Sequence, residues 1–232
     1  MSLAGYALIE ACLAAGDRET FAARFLELAE WIRADQLMVF DFAREAPACL
    51  LSRNFGQRRL GGLLAARYVE DGYRHDPLPP ILAAVPEGEI RLCRMTDFEQ
   101  AMAADYRAVF FDRPGLAGKT ALLAAGRQRR LMINFYHVHP PEAEDDDLLR
   151  LAARLLLIHF DAPGDPGYPA PLTALSERER AVCLGILGGQ KAEVIAGNLG
   201  VSPATVVTYR RRAYEKLGIN ARAELFAICQ PT

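Results

Sequence analysis

Three consecutive arginines, Arg210, Arg211 and Arg212, are the residues whose type and spacing most directly indicate chemistry. Guanidinium groups bind phosphate oxygens and the acceptor edge of guanine, so a run of them on an exposed helix is typical of nucleic-acid binding. Successive residues of a helix point in different directions, so the three cannot all face one DNA surface. At least one is therefore expected to hold a phosphate from the flank or to pair within the protein.

The distribution of charge along the chain favours the same interpretation. The formal net charge of the 232 residues is −2, which alone gives no reason to expect a polyanionic partner. Residues 1–169 contain 19 Lys and Arg against 24 Asp and Glu, whereas residues 170–232 contain 8 against 5. The basic charge is therefore concentrated in the C-terminal quarter, which points to that part as the nucleic-acid-binding region.

The residues around the arginines predict a helix-turn-helix. Ser176 and Glu179 form a capping box at the start of one helix. Ser202 is placed to cap the start of a later helix, and Pro203 occupies the first position of that helix, where its missing N–H costs nothing. A small turn lets the following helix protrude into a major groove. Four helices are predicted, one that begins after Ser176 and three that cover 193–198, 204–217 and 220–228.

The stretch L-S-E-R-E-R-A-V from Leu175, followed from Gly188 by G-G-Q-K-A-E-V-I-A-G-N-L-G-V-S-P-A-T-V-V-T-Y-R-R-R, resembles the DNA-binding domain of LuxR-type bacterial transcription regulators. The resemblance covers about 58 residues. It implies a homodimer on a palindromic double-stranded operator. It also implies base-edge contacts from Val207, Thr208 and Arg211, and phosphate contacts from Lys191, Thr205, Tyr209 and Arg212, with Ser202 in the same interface.

The sequence departs from the family pattern in three places, one of which is Lys191-Ala192, in place of the small polar pair that normally starts the second helix. Val207 stands where the family usually has lysine or arginine, and Tyr209 stands where it usually has histidine. An apolar side chain can contact the methyl group of thymine, so Val207 predicts a different operator. The dimer surface is expected to use the helix over 145–160 and the last helix.

Proline and glycine mark a boundary ahead of this region. Residues 161–171 contain four prolines and two glycines, which is typical of a semi-stiff linker. The domains expected are a sensor at 1–160 and a DNA-binding domain at 172–232. Strict alternation of strand and helix is missing, so a phospho-receiver domain is not expected.

The sensor is predicted to be an α+β domain, and the C-terminal domain an all-α bundle of four helices. Periodicity predicts an α-β-α sandwich, PAS- or GAF-like, around an antiparallel sheet of about five strands. The strands expected are 36–42, 48–52, 89–95, 119–125 and 130–139. The helices expected are one that begins at Asp17 and others at 60–73, 96–111 and 145–160.

The pattern Tyr68-x4-Tyr73-x2-Asp76-Pro77 resembles the quorum-sensing subgroup that binds acyl-homoserine lactones. The resemblance implies that Asp76 accepts a hydrogen bond from a ligand amide and that Tyr68 packs on the ligand, with Tyr73 as a further candidate. The subgroup's tryptophan, about a dozen residues before the aspartate, is replaced here by Leu60-Gly-Gly-Leu-Leu64. The alternative reading is structural, with the tyrosines packing a helix and Asp76 capping the turn at Pro77.

Three functions for the N-terminal domain therefore remain open. In the first, the domain senses an unidentified small amphiphilic molecule or mediates dimerisation. In the second, it binds an acyl-homoserine lactone. In the third, the regulator is independent of any ligand and the pocket of the domain is closed. No nucleophile elbow, phosphate loop or dinucleotide motif is present, so we expect no enzyme and no cofactor. The five scattered cysteines predict neither a metal site nor disulfides, and a cytoplasmic protein without a membrane segment is expected.

Overall fold

The computed structural model describes residues 3–43, 47–55, 61–140, 144–161 and 169–229. An antiparallel sheet with helices on both faces is followed by a helical C-terminal domain, which confirms the predicted fold class. The sheet contains β1 (Gln36–Asp41), β2 (Ala48–Asn54), β3 (Ile90–Arg94), β4 (Gly118–Ala125) and β5 (Arg130–His137).

The strand order is β2-β1-β5-β4-β3, and every neighbouring pair is antiparallel. The predicted hairpin is the β4–β5 pair, in which Gly118 lies opposite His137 and Ala125 opposite Arg130. Both of these strands are buried along almost their whole length, because helices cover both faces of the sheet.

The helices of the N-terminal domain pack in two layers. The first layer buries Phe21, Phe25 and Leu156 on one face of the sheet, and the second buries Leu64 and Leu82 on the other. The helices are α1 (Leu3–Leu13), α2 (Arg18–Trp31), α3 (Gly61–Glu70), α4 (Leu78–Ala83), α5 (Met95–Phe98), α6 (Ala104–Arg107) and α7 (Asp146–Phe160). The first layer consists of α1, α2 and α7.

Two predictions for this domain were wrong or incomplete. The segment 96–111, predicted as one helix, is broken into α5, a 3₁₀ turn, α6 and a π-helical turn over Ala108–Asp112. Extended backbone at Met102 and Ala103 interrupts it, and the π turn directs Phe110 against Gly72, where there is no Cβ to obstruct the ring. Helices α1 and α4 were not predicted, because α1 lacks a clear polar face and α4 is only six residues long and contains two consecutive prolines.

The C-terminal domain contains α8 (Glu177–Leu187), α9 (Ala192–Leu199), α10 (Pro203–Leu217) and α11 (Arg222–Cys229), close to the four predicted helices. A 3₁₀ turn over Ala170–Ala174 precedes them. The predicted linker falls mostly on residues 162–168, which lie outside the described residues.

The two domains pack directly against each other. Helix α11 lies on α3, and α10 lies on the edge strand β2. Ser52 Oγ of β2 donates a buried hydrogen bond to the carbonyl oxygen of Leu217, the last residue of α10, over 3.0 Å. Leu64 of the N-terminal domain and Leu225 of the C-terminal domain belong to one continuous hydrophobic cluster. The last helix, expected at a dimer surface, thus covers part of the N-terminal domain in this structure.

Two buried thiols report on this domain contact. Cys49 of β2 and Cys229 of α11 are 3 % and 5 % exposed, and burial raises the pKa of both. Ser52→Ala removes the interdomain hydrogen bond, which costs about 0.5–1.5 kcal/mol and raises the open fraction by up to about tenfold. We expect both thiols to react faster with iodoacetamide in the variant, as followed by peptide mass spectrometry.

Cys12 of α1 is the internal control, because it lies in the hydrophobic cluster on the far face of the sheet. Its labelling rate is expected to stay unchanged. Equal acceleration of all three thiols would show that Ser52 supports global stability and not the domain contact.

Candidate nucleic-acid interface

The start of α8 is fixed by the predicted capping box. The Glu179 carboxylate accepts hydrogen bonds from the Ser176 backbone N–H at 3.0 Å and from the Ser176 hydroxyl at 2.8 Å. The same carboxylate accepts a hydrogen bond from Lys216 Nζ near the end of α10. Glu179 is 4 % exposed, so one buried charge joins the beginning of α8 to the end of α10.

The turn before α10 is fixed by two residues with special backbone roles. Gly200 has a φ of 64°, the left-handed conformation that ends α9. Ser202 caps α10, because its Oγ accepts a hydrogen bond from the Thr205 backbone N–H at 3.2 Å, and it lies 2.8 Å from Thr205 Oγ1. The direction in which α10 leaves the turn is therefore set locally, as the sequence predicted.

Helix α10 has a buried side and an exposed side. Val206, Ala213 and Leu217 are at most 3 % exposed and fill the helical core. Val207 is 47 % exposed, although it is apolar, and it lies one turn before Arg211 on the outer surface. The outer surface of α10 thus combines one apolar side chain with cations, which suits a groove that carries both methyl groups and acceptors.

The predicted DNA-contacting residues differ in exposure. Lys191, Arg211 and Arg212 are exposed, and no ion pair neutralises them in the part of the chain that the structure describes. Thr205, Thr208 and Tyr209 are half-buried.

Three hydroxyl groups in this set already have partners within the protein, because the Ser202 and Thr205 hydroxyls lie 2.8 Å from each other. Thr208 Oγ1 donates to the Ala204 carbonyl oxygen at 3.1 Å, which leaves Thr208 with acceptor lone pairs and a methyl group for DNA. The Ser202 hydroxyl serves as the helix cap, so its clearest role here is to position α10.

No separate role for Arg210 was predicted from the sequence. Its side chain is exposed and lines an open groove between α10 and α11 together with Tyr214, Asn220 and Arg222. Arg210 and Tyr214 are one helical turn apart, and this spacing was the signal in the sequence that the two side chains lie on the same face of the helix. Only the packing of α11 beside α10 reveals that Arg222 lines the same groove.

The predicted ligand residues of the N-terminal domain surround a buried carboxylate. Asp76 Oδ2 accepts hydrogen bonds from the Tyr68 and Tyr106 hydroxyls, each at 2.9 Å, and Lys119 Nζ lies 3.3 Å from it. Asp76 Oδ1 accepts from the Leu78 backbone N–H at 2.9 Å, which caps the turn that contains Pro77. Neither Tyr106 nor Lys119 was predicted from the sequence.

Burial governs the ionisation of the groups around Asp76. It lowers the pKa of Lys119, and the Asp76 carboxylate acts in the opposite direction. Burial and the nearby Asp76 raise the pKa of Tyr68 and of Tyr106 well above the usual value. Tyr73 does not join this centre, because it is half-buried and packs edge-on against Phe42 at 6.4 Å between ring centroids.

The space beside this centre is small. The cavity next to Tyr68 measures about 10 Å³, roughly the minimum that admits one water molecule. The described residues that line it are mainly apolar, with Gln36 Nε2 as a buried donor that has no hydrogen-bond partner in the structure. The lining residues are Gln36, Met38, Leu64, Tyr68, Phe110, Leu116 and Tyr136.

The model of bacterial regulatory proteins of the luxR family matches residues 173–229. Residues 173–229 form a LuxR-family DNA-binding domain. Among similar proteins, the response regulator GacA of Pseudomonas protegens is 48 % identical over 60 residues, 26 % of this chain and 28 % of that protein. The response regulator UvrY of Escherichia coli is 45 % identical over 56 residues, 24 % of this chain and 26 % of that protein. The chain therefore spans little more than a quarter of the length of these relatives.

Solved structures resemble more of the chain at low sequence identity. Escherichia coli SdiA is 15 % identical, with a TM-score of 0.46, and the match covers 97 % of this chain and 96 % of that one. The VqsR ligand-binding domain from Pseudomonas aeruginosa is 16 % identical, with a TM-score of 0.48, over 67 % of this chain and 98 % of that one.

The described ranges contain neither a metal-binding cluster nor a membrane-spanning helix. No group of three or more His, Cys, Asp or Glu side chains there is arranged to hold a metal ion. No helix in those ranges has the length and apolar character needed to cross a bilayer.

The buried Glu179 makes the stability of the C-terminal domain depend on pH. Burial alone would raise the pKa of Glu179, but the bonds from Lys216 and Ser176 lower it below the usual value. A carboxylate with a lowered pKa stabilises the fold above about pH 4.3 and loses that contribution as the pH falls through its folded pKa. We expect Glu179→Gln to cost about 1–3 kcal/mol at pH 7, because Lys216 loses its partner.

Urea unfolding of both proteins between pH 3 and pH 7 measures this effect. The difference between wild type and Glu179→Gln is expected to shrink toward acid pH. Glu177→Gln, on the same helix but exposed, is the matched control and is expected to change stability by less than about 0.5 kcal/mol. A difference that stays constant with pH would contradict the assigned ion pair.

Proposed function

We propose that this chain is a sequence-specific DNA-binding transcription regulator that reads double-stranded DNA with the outer surface of α10. Val207 and Arg211, exposed one helical turn apart, support the proposal most directly, and Arg212 is exposed on the flank of the same helix. Val207 contacts a thymine methyl group, Arg211 binds a base edge, and Arg212 holds a phosphate from the flank.

The other predicted contacts support the same docking arrangement. Lys191 is exposed at the start of α9 and reaches a phosphate. Thr205 in the first turn of α10 and Tyr209 in its middle, both half-buried, contact further phosphates. Arg210 adds a further cation beside Val207. Phosphate contacts set the register of the helix, and Arg211 with Val207 sets the sequence that is preferred.

The proposal includes a homodimer and a palindromic operator. A single helix-turn-helix offers a small interface, and two copies related by a two-fold axis double it. The chain would act in the cytoplasm, where the DNA is, and would perform no catalysis.

A second candidate function concerns the N-terminal domain and is favoured by the volume beside Tyr68. Binding sites for small molecules usually measure about 300–1,000 Å³, whereas this cavity measures about 10 Å³. A ligand-independent regulator with a closed pocket agrees with that volume. A receptor for an acyl-homoserine lactone or another amphiphilic signal would need the core around Tyr68 and Phe110 to open.

Two arginine variants test the proposed reading of DNA. On a site selected from a random DNA pool, Arg211→Ala is expected to cost about 1–3 kcal/mol and to relax the preference at one base step. Arg212→Ala is expected to weaken all DNA sequences alike and to reduce the slope of log affinity against log salt by about 1. Fluorescence anisotropy on the selected site and on its single-base variants measures both effects.

Arg91→Ala, which removes an exposed arginine from β3, is the control and is expected to leave affinity unchanged. If the two α10 variants lose the same affinity on every sequence, the assignment of Arg211 to a base edge is wrong. If neither variant binds less well than the control, α10 does not contact DNA.

A further inference from the structure

We propose that Asp76, Phe98 and Tyr136 form a buried binding site for a primary alkylammonium group, and that the chain fills this site with its own Lys119. The inference concerns the N-terminal domain alone and stands whether or not the chain binds DNA. The group bound at Asp76 is then a cation, whereas the resemblance to lactone receptors implies that Asp76 binds a neutral ligand amide.

The contacts of Lys119 Nζ are those of a cation in an aromatic cage. The nitrogen lies 3.3 Å from Asp76 Oδ2, 5.5 Å from the centroid of the Phe98 ring and 5.7 Å from that of Tyr136. Aromatic faces within about 6 Å attract a cation electrostatically, and the attraction grows when water is excluded. Lys119 is 2 % exposed and Asp76 is 4 % exposed, so water is excluded from both partners.

Asp76 is held in place independently of Lys119. Two tyrosine hydroxyls and the Leu78 backbone N–H donate to its carboxylate. The two tyrosine hydroxyls and the Lys119 ammonium all approach Oδ2, whereas the Leu78 N–H donates to Oδ1. Each carboxylate oxygen has about two lone pairs, so a neutral amide could reach Oδ2 only by displacing one of its three donors.

Strand β4 consists of apolar or small residues, with the exception of the charged Lys119. Lys119 lies opposite Tyr136 of β5 and is followed by the buried run Ala121–Ala125. A lysine is rarely so buried without a dedicated partner, because its charge must be compensated. The carboxylate and the two aromatic rings together compensate the positive charge of Lys119. The ammonium group that fills the site is attached to the sheet through the Lys119 backbone in β4.

The test replaces the tethered cation by a free one. Lys119→Ala removes the three methylene groups and the ammonium that n-propylammonium would restore. We expect the variant to melt several degrees below wild type, and n-propylammonium at tens of millimolar to recover several degrees of that loss at pH 7. Wild type is expected not to respond, and 1-propanol, a neutral molecule of similar size, is expected to recover much less.

The double variant Lys119→Ala/Asp76→Asn is the matched control, because it keeps the cavity and removes the negative charge. It is expected to show no selective recovery with n-propylammonium. Equal responses of wild type and variant, equal recovery by 1-propanol, or recovery in the double variant would each overturn the proposal.

A second measurement applies if Lys119→Ala does not fold. Asp76→Asn leaves the Lys119 ammonium without its counter-charge, so its stability deficit against wild type is expected to shrink from pH 7 to pH 10 as Lys119 loses its proton. The other titratable groups that face Lys119 are Tyr68, Tyr106, Tyr136 and Cys93, whose pKa values burial raises. A deficit that stays constant over this range overturns the proposal.

Discussion

The inner side of α10 is held from three directions, and the ability of its outer side to meet DNA depends on that support. Val206, Ala213 and Leu217 are buried in the helical core, Lys216 is tied to Glu179 of α8, and the carbonyl oxygen of Leu217 accepts a hydrogen bond from Ser52. A side chain recognises a base edge only when its backbone is fixed relative to the phosphates. The C-terminal domain supplies two of these supports, and the N-terminal domain supplies the third.

The contact of β2 and α3 with the C-terminal helices gives the N-terminal domain a structural role. Helix α3 carries Tyr68 toward Asp76 on one side and packs against α11 on the other. A rearrangement of the buried centre would therefore move the surface on which the DNA-binding domain rests. Within the described residues, Lys119 compensates the charge of Asp76 in this centre.

The parts of the fold that local chemistry determines could be predicted from the sequence. The caps and turns of the C-terminal domain depend on partners only a few residues away in the sequence. The structure has them where the sequence predicts them, at Ser176, Glu179, Gly200 and Ser202. The hairpin of β4 and β5 was predictable for the same reason, since its alternation and its turn are adjacent in sequence.

The parts that depend on distant contacts could not be predicted. Lys119 pairs with Asp76 across 43 positions of sequence, and Ser52 bonds to Leu217 across 165, so neither pair leaves a periodic signal. The segment 96–111 has helical composition, but the need to bury Phe110 against Gly72 breaks it. Tertiary packing decided these features, and propensity could not reveal them.

The central claim is that the proposed homodimer reads DNA with the outer surface of α10 and needs no bound ligand to do so. The most direct test is the affinity of protein refolded from denaturant, and shown by mass spectrometry to carry no small molecule, for a DNA site selected from a random pool. The account predicts sequence-specific binding whose affinity does not change when acyl-homoserine lactones are added. Specific binding that occurs only in the presence of a small molecule would contradict it.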